Sequence, residues 1–260
     1  MISARVIRED ILRMIHSAGS GHPGGSLSLV EILMHLYWKE MHIDPDNPQL
    51  PDRDRLVLSK GHGAPALYSV LARRGFFHPN KLNTLRKYGS GLQGHPHMQS
   101  LPGLDCSTGS LGHGLGIAAG MALGLSMRNN PGRVFCILGD GELQEGSVWE
   151  SAMSVPALKQ TNLTVVVDRN HVQLDDAVDR VMPVEPLAEK WKAFGWEVAV
   201  CNGHDLNDLE RVFSTETDKP LLIIAETIKG KGVSFMENSA LWHGRAPGDT
   251  ELQKALEGLK

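Results

Sequence analysis

The sequence predicts a doubly wound α/β fold, a mostly parallel sheet with helices on both faces, from three observations. Val134–Leu138, Leu163–Val167 and Leu221–Ala225 are continuous apolar runs, with shorter ones at Leu56–Leu58 and Glu197–Val200. Runs apolar on both faces suit strands buried between two helical layers of a parallel sheet. Second, Ser147–Lys159, Pro186–Phe194 and Asp205–Ser214 alternate with those runs and read as crossover helices. Third, a chain of 260 residues can bury roughly 70–75% of its unfolded surface, enough for one large core.

Taken in order, the chain opens with a helix whose Ile7, Ile11, Leu12 and Ile15 share one face. The loop Ser17–Gly25 follows. A second helix is expected to start near Ser28, whose spacing to Glu31 is that of a capping box, and to bury Leu29, Ile32, Leu33, Leu36 and Tyr37. Asp44–Asp54 is a polar, proline-rich connector. After the strand Leu56–Leu58 comes Gly61-His62-Gly63, then a helix opened by Pro65 and closed by Gly75. Gly112, Gly116, Gly120 and Gly124 recur every four residues and give another helix one bare face. Leu252, Ala255, Leu256 and Leu259 lie along a last amphipathic helix. No repeat, low-complexity tract or long linker interrupts residues 1–260, which read as one domain.

Charge excludes some functions. Lys and Arg number 26 against 30 Asp and Glu, a formal charge of −4, without the basic excess of a nucleic-acid-binding module. Cys106, Cys136 and Cys201 form no CxxC pair, which excludes a disulfide scaffold or a cysteine zinc knuckle and fits a reducing, cytoplasmic setting. Arg5, Arg8, Glu9, Asp10 and Arg13 leave no apolar signal core at the N-terminus. The uncharged stretch Cys106–Met127 is long enough to span a bilayer, but its glycines, Ser107, Thr108 and His113 argue against a membrane segment.

Chemistry is expected where the strand ending at Leu138 runs into Gly139-Asp140-Gly141-Glu142. Ligands of parallel sheets gather at the carboxyl ends of strands. One right-handed crossover later, the strand Leu163–Val167 runs into Asp168-Arg169-Asn170, so Asp140 and Asn170 can meet across one crevice. A carboxylate, an amide oxygen, a main-chain carbonyl and two diphosphate oxygens would satisfy an octahedral Mg²⁺. No GxxxxGK[ST] is present, so a P-loop is excluded. Gly112-His113-Gly114-Leu115-Gly116 resembles a dinucleotide fingerprint but follows no strand, and His95-Pro96-His97 lacks a third zinc ligand. Of 12 histidines, His22, His62, His95, His113 and His243 each adjoin a glycine at a loop or element end, where an imidazole can shuttle protons or donate to a hydroxyl. His16, His35 and His42 fall on expected helices and read as packing or surface residues.

SGHPGG around His22, LSKGHGAPALY around His62, QGHP around His95, the TGSLGHG run and GDGELQEG together resemble the transketolase family, over essentially the whole chain. More narrowly, the chain resembles the N-terminal subunit of a split, two-chain transketolase. The resemblance implies thiamine diphosphate as cofactor, with Mg²⁺ (or Ca²⁺ or Mn²⁺ in its place) held by Asp140, Asn170 and the carbonyl of Val172. It implies that His62, Gly141 and His243 touch the diphosphate and that Gly109 and Leu111 lie beside the aminopyrimidine. His22, His95 and His243 would face the sugar hydroxyls and the reacting carbonyl. Glu145 matches an acid that links two active sites across the family's dimer, or caps a helix start. His113 stands where many members have Gln, which leaves its contact open.

In this family the glutamate that activates the aminopyrimidine and the sugar-phosphate arginines belong to the pyrimidine-binding domain, which this sequence does not reach. The resemblance therefore implies a C-terminal, pyrimidine-binding partner subunit, an α2β2 heterotetramer and an interface above roughly 2,000 Å². The expected reaction moves a two-carbon ketol group from a ketose phosphate to an aldose phosphate. The alternatives are a specialised ketol transferase, the α chain of a 2-oxo acid dehydrogenase, or a non-catalytic cofactor-binding subunit.

Overall fold

The computed structural model describes residues 2–259. Its centre is a five-stranded sheet of β1 (Arg55–Leu58), β2 (Val134–Gly139), β3 (Leu163–Arg169), β4 (Glu197–Asn202) and β5 (Leu221–Glu226). The order across the sheet is β1-β2-β3-β5-β4, and every neighbouring pair is parallel. All five expected runs are strands, within a residue or two at their ends. The pleat explains why they lack polar alternation. Along β2, Phe135 and Ile137 pack into one core layer, while Val134, Cys136 and Leu138 pack into the other.

The first layer is built by α1 (Ala4–Ala18), α2 (Pro23–Leu27), α3 (Val30–His35), α4 (Ala64–Arg74), α9 (Leu206–Phe213) and α10 (Asp249–Gly258). The second is built by α5 (His113–Met127), α6 (Gly146–Ala157) and α8 (Leu187–Phe194), with α7 (Val178–Val181) at its margin. Ile7, Ile11, Leu12 and Ile15 of α1 are fully buried, each such side chain contributing about 1.5–3 kcal/mol. Ser3 caps α1 by accepting from the Arg5 N–H, and Gly19 ends it with φ 60°. Gly75 closes α4 in the same left-handed manner, with φ 103°. Among the described residues, no helix is long and apolar enough to cross a membrane.

Three local expectations are corrected. The loop Ser17–Gly25 is shorter than expected, because α1 runs to Ala18 and Pro23 starts α2. Ser28 caps nothing: its hydroxyl donates to Asp168 at 2.6 Å, and α3 starts two residues later without a side-chain cap. Glu31 is likewise drawn away, to Arg8 and His204. A π-helical turn, Leu36–Glu40, ends that helix, so exposed His42 lies outside any helix. His16 lies on α1 and pairs with Asp249, whereas His35 is buried against Phe213.

Candidate active site

The register pairs Gly139 with Asp168, which brings Gly139-Asp140-Gly141 and Asn170-His171-Val172 together beyond the carboxyl edge of β2 and β3. Asp140 bridges the two turns: its Oδ1 accepts from the Gly141 N–H at 2.9 Å, and its Oδ2 from the His171 N–H. The Asn170 amide oxygen accepts from the Val172 N–H at 3.2 Å. Gly139, Asp140, Gly141, Asn170 and Val172 line one cleft with Gly25, Lys60, His62, Leu111, Glu142, Lys229 and His243. Burial, followed by repulsion from Asp168, pushes the Asp140 carboxyl up to about 6.

Two further buried carboxylates tie the strand-end loops together. Asp168, fully buried, accepts from Lys60, Ser28 and Thr227, drawing the ends of β1 and β5 and the approach to α3 onto β3. Burial alone would raise its pKa, but the Lys60 ammonium and these hydrogen bonds outweigh it and hold the group below the usual carboxylate range. Glu142 accepts from the Ser59 hydroxyl, from the Gly112 N–H at 2.9 Å and from the Gly139 N–H at 3.1 Å. It thereby fixes the turn after β2 to the glycine loop that starts α5. Here burial wins, and the Glu142 carboxyl is pushed up.

Imidazoles form the opposite wall. The His22 ring lies 5.6 Å from His62, 5.6 Å from His243 and 5.9 Å from His95, centroid to centroid, and His62 lies 5.1 Å from His243. Burial lowers His22 to about 4 and His243 to about 3, helped by Arg86 on the first and Lys229 on the second. Burial also drives His62 well below its ordinary value, so these three rings are neutral at pH 7. Lys229, 2% exposed, donates to the carbonyls of Val172 at 2.7 Å and Gln173 at 3.1 Å. Its Nζ also lies 2.8 Å from His243 Nδ1. In its ammonium form Lys229 can only donate, and in that state the His243 ring proton belongs on Nε2. Burial and the neighbouring Lys60 pull Lys229 down to about 7.

The lowered His22 has a consequence for stability. Between its folded value of about 4 and its ordinary 6.5, the unfolded chain binds more protons, so acidification through that window destabilises the fold. Full stability from this group is present above pH 6.5. His22→Gln removes the contribution, so wild type should lose melting temperature relative to H22Q as pH falls from 7 to 5. A pH-independent difference in paired thermal melts would refute the assignment.

Of the residues expected from sequence, Asp140, Gly141, Asn170, Val172, His62, Leu111 and His243 line the cleft itself. His22 stands against the His62 and His243 rings, and His95 lies one ring farther out, 5.9 Å from His22. Gly109 has φ 141°, and a Cβ there would sit 3.1 Å from the His95 ring. Glu145 is exposed at the N-cap position of α6, without a side-chain cap bond. His113 is the exposed first residue of α5 and lies outside the residues lining the cleft. Sequence reasoning does not single out Lys60, Lys229, Asp168 or Glu142 as site residues. A lysine flanking a glycine at the end of a buried strand is the signal that could have found the first two. Among the described residues, no three His, Cys, Asp or Glu side chains cluster as a metal site.

The family model for the transketolase thiamine diphosphate-binding domain matches residues 2–259. The chain is 44% identical over 243 residues to the 6-deoxy-6-sulfo-D-fructose transketolase subunit SqwG of Clostridium sp. (strain MSTE9), covering 92% of this chain and 88% of that one. It is 39% identical over 252 residues to an apulose-4-phosphate transketolase subunit of Phocaeicola vulgatus, covering 96% and 89%. The solved transketolase of Campylobacter jejuni superposes with a TM-score of 0.90 at 33% identity, over 98% of this chain but 41% of the longer one. The chain belongs to the transketolase family, as a transferase subunit carrying its thiamine diphosphate-binding domain.

Proposed function

We propose that this chain is the diphosphate-binding subunit of a two-chain transketolase that moves a two-carbon ketol unit from a ketose phosphate to an aldose phosphate. The observation that carries this reading is one cleft that joins a buried carboxylate without an ion-pair partner, hard oxygen donors, two lysines and neutral imidazoles.

The residues fit the cofactor and a divalent ion. Asp140 is buried, and its described partners are backbone N–H groups rather than a cation. With the Asn170 amide oxygen and the Val172 carbonyl it forms a hard oxygen set suited to Mg²⁺, or to Ca²⁺ or Mn²⁺ in its place. Bare backbone lines the cradle: a Cβ on Gly25 would sit 3.0 Å from the His62 ring, and one on Gly141 would sit 2.9 Å from Gln173. Lys60 and Lys229 lend positive potential toward a diphosphate. When bound, thiamine diphosphate supplies the carbon nucleophile that takes up the ketol unit.

This chain's own groups bind, orient and handle protons. His62 and the Gly141 backbone hold the diphosphate, while Gly109 and Leu111 bound the space for the aminopyrimidine. His243 offers its Nε2 proton to the reacting oxygen, its Nδ1 being held by Lys229. His22 and His95 take the sugar hydroxyls as uncharged hydrogen-bonding partners. Burial that keeps the rings neutral also excludes water from the reacting centre.

A partner is supported by α5. Gly112 and Gly116 pack toward α6, but Gly120 is exposed with nothing within 4 Å of a Cβ there, and Ile117 and Met127 of the same helix are exposed. Such a face admits another backbone closely, and we assign it to the assembly with a pyrimidine-binding subunit, in an α2β2 arrangement within the cytoplasm. Exposed Glu145 is available to link the two active sites there. The test is ketol transfer by the purified chain with Mg²⁺ and thiamine diphosphate, alone and with the partner subunit, on phosphorylated donors and acceptors. Turnover is expected from the complex alone. Full turnover by the isolated chain overturns the two-chain reading, and an inactive complex that binds cofactor overturns the catalytic one.

A further inference from the structure

Arg8 on α1, Glu31 on α3 and His204 between β4 and α9 form one buried hydrogen-bonded trio outside the residues that line the cleft. Arg8 forks onto Glu31, Nη1 to Oε1 at 2.7 Å and Nη2 to Oε2 at 2.9 Å, and His204 Nδ1 meets the same Oε2 at 2.9 Å. Arg8 and Glu31 are 6% and 7% exposed. A bidentate pair so enclosed joins α1 to α3 by itself. The other polar atoms of the trio go elsewhere, and both reach the same short segment. The Ile228 N–H donates to His204 Nε2 at 2.9 Å, and Arg8 Nε donates to the Lys231 carbonyl at 2.9 Å.

These two contacts fall one residue before and two residues after Lys229. A backbone N–H can only donate, so His204 Nε2 is the acceptor and its proton sits on Nδ1, facing Glu31. Each atom of the trio is thereby committed to one role. The segment itself is shaped for the contact: Gly232 has φ 92°, and a Cβ there would lie 2.9 Å from Arg8 Nε. On its other side, the Gly230 N–H donates to the Gly24 carbonyl at 3.0 Å, next to the His22 loop.

We propose that Arg8, Glu31 and His204 are positioning residues for Lys229, setting where its Nζ meets the Gln173 carbonyl and His243 Nδ1. This rests on the cofactor reading given above. A flexible lysine loses much rotamer freedom when pinned between two carbonyls and an imidazole, so its anchoring backbone must be held from elsewhere. The trio does so without lining the cleft.

The test is calorimetric titration of the assembled complex with thiamine diphosphate and Mg²⁺. Four forms are compared: wild type, His204→Leu, Lys229→Met and the double variant, with His204→Gln as the conservative replacement. H204L is expected to weaken cofactor binding about tenfold, the scale of an outer support to a metal site. In the K229M background the same change should cost less than about twofold, because the residue acts through the lysine. H204Q, whose amide oxygen can accept the Ile228 N–H, should recover most of the lost affinity. If H204L does not fold, His204→Asn takes its place in the cycle, with the same expectations. Equal losses in both backgrounds, or an unchanged affinity, overturn the proposal while leaving the cofactor reading intact. Wild type that binds no thiamine diphosphate overturns both.

Discussion

Asp140→Asn is expected to abolish ketol transfer at ordinary cofactor concentrations and to weaken thiamine diphosphate–Mg²⁺ binding by ~100-fold or more. The substitution keeps the shape of the side chain and removes its charge. That charge is the one anionic donor among the three oxygens assigned to the metal, so its loss takes away most of the attraction for a divalent ion. In the cofactor-free protein the same change relieves the repulsion from Asp168 that helps raise the Asp140 pKa. It also faces an amide N–H₂ toward the backbone N–H of Gly141 or His171, losing one acceptor. These effects oppose each other, so the melting temperature without cofactor should change little, by an amount corresponding to about 1 kcal/mol. Calorimetry and paired melts check both halves. D140N binding cofactor as tightly as wild type would sink the metal assignment.

Asp168→Asn should have the largest effect on stability, whether or not cofactor is present. Lys60 and Asp168 are 1% and 0% exposed, and their ion pair stands at the centre of the clasp that also holds Ser28 and Thr227. Removing one charge leaves the other buried without a partner, which costs about 3–5 kcal/mol. For a chain of this size that corresponds to a drop of roughly 10 °C or more in melting temperature. Replacing both residues with apolar ones, Lys60→Met with Asp168→Leu, should recover the part of the loss due to the unpaired charge, but not the part due to the Ser28 and Thr227 hydroxyls left without their acceptor. Chemical denaturation of wild type and the two variants reads this directly. If D168N melts with wild type, the pair is not the brace inferred from its burial.

The strands are legible in the sequence because they are buried on both sides. A strand with solvent on one face alternates, whereas β2, β3 and β5 must satisfy two core layers, and a run such as Val134–Leu138 has few other uses. Helix boundaries that rest on local chemistry are legible too, at Gly75 and at Asp205, where nothing distant competes. The capping box expected at Ser28 and Glu31 fails for the opposite reason. Both side chains have partners far along the chain, Asp168 for one and Arg8 and His204 for the other, and these outweigh a local cap.

The same division runs through the site. Glycine-flanked polar residues at strand ends announce themselves within a few positions, so Asp140, His62 and His243 are visible in their motifs. Lys60 and Lys229 flank Gly61 and Gly230 in the same way, but their role lies in contacts with Asp168, Val172 or the imidazoles, 108 residues away in the first case. Sequence alone determined the strand–helix rhythm, the family and the residue types at the cleft, because these depend on local propensity and on short spacings. Tertiary structure decided which charges are buried, which imidazoles stay neutral and which side chains hold the lysines. Those properties depend on desolvation and on partners that only the closed sheet and its two helical layers bring within hydrogen-bonding reach.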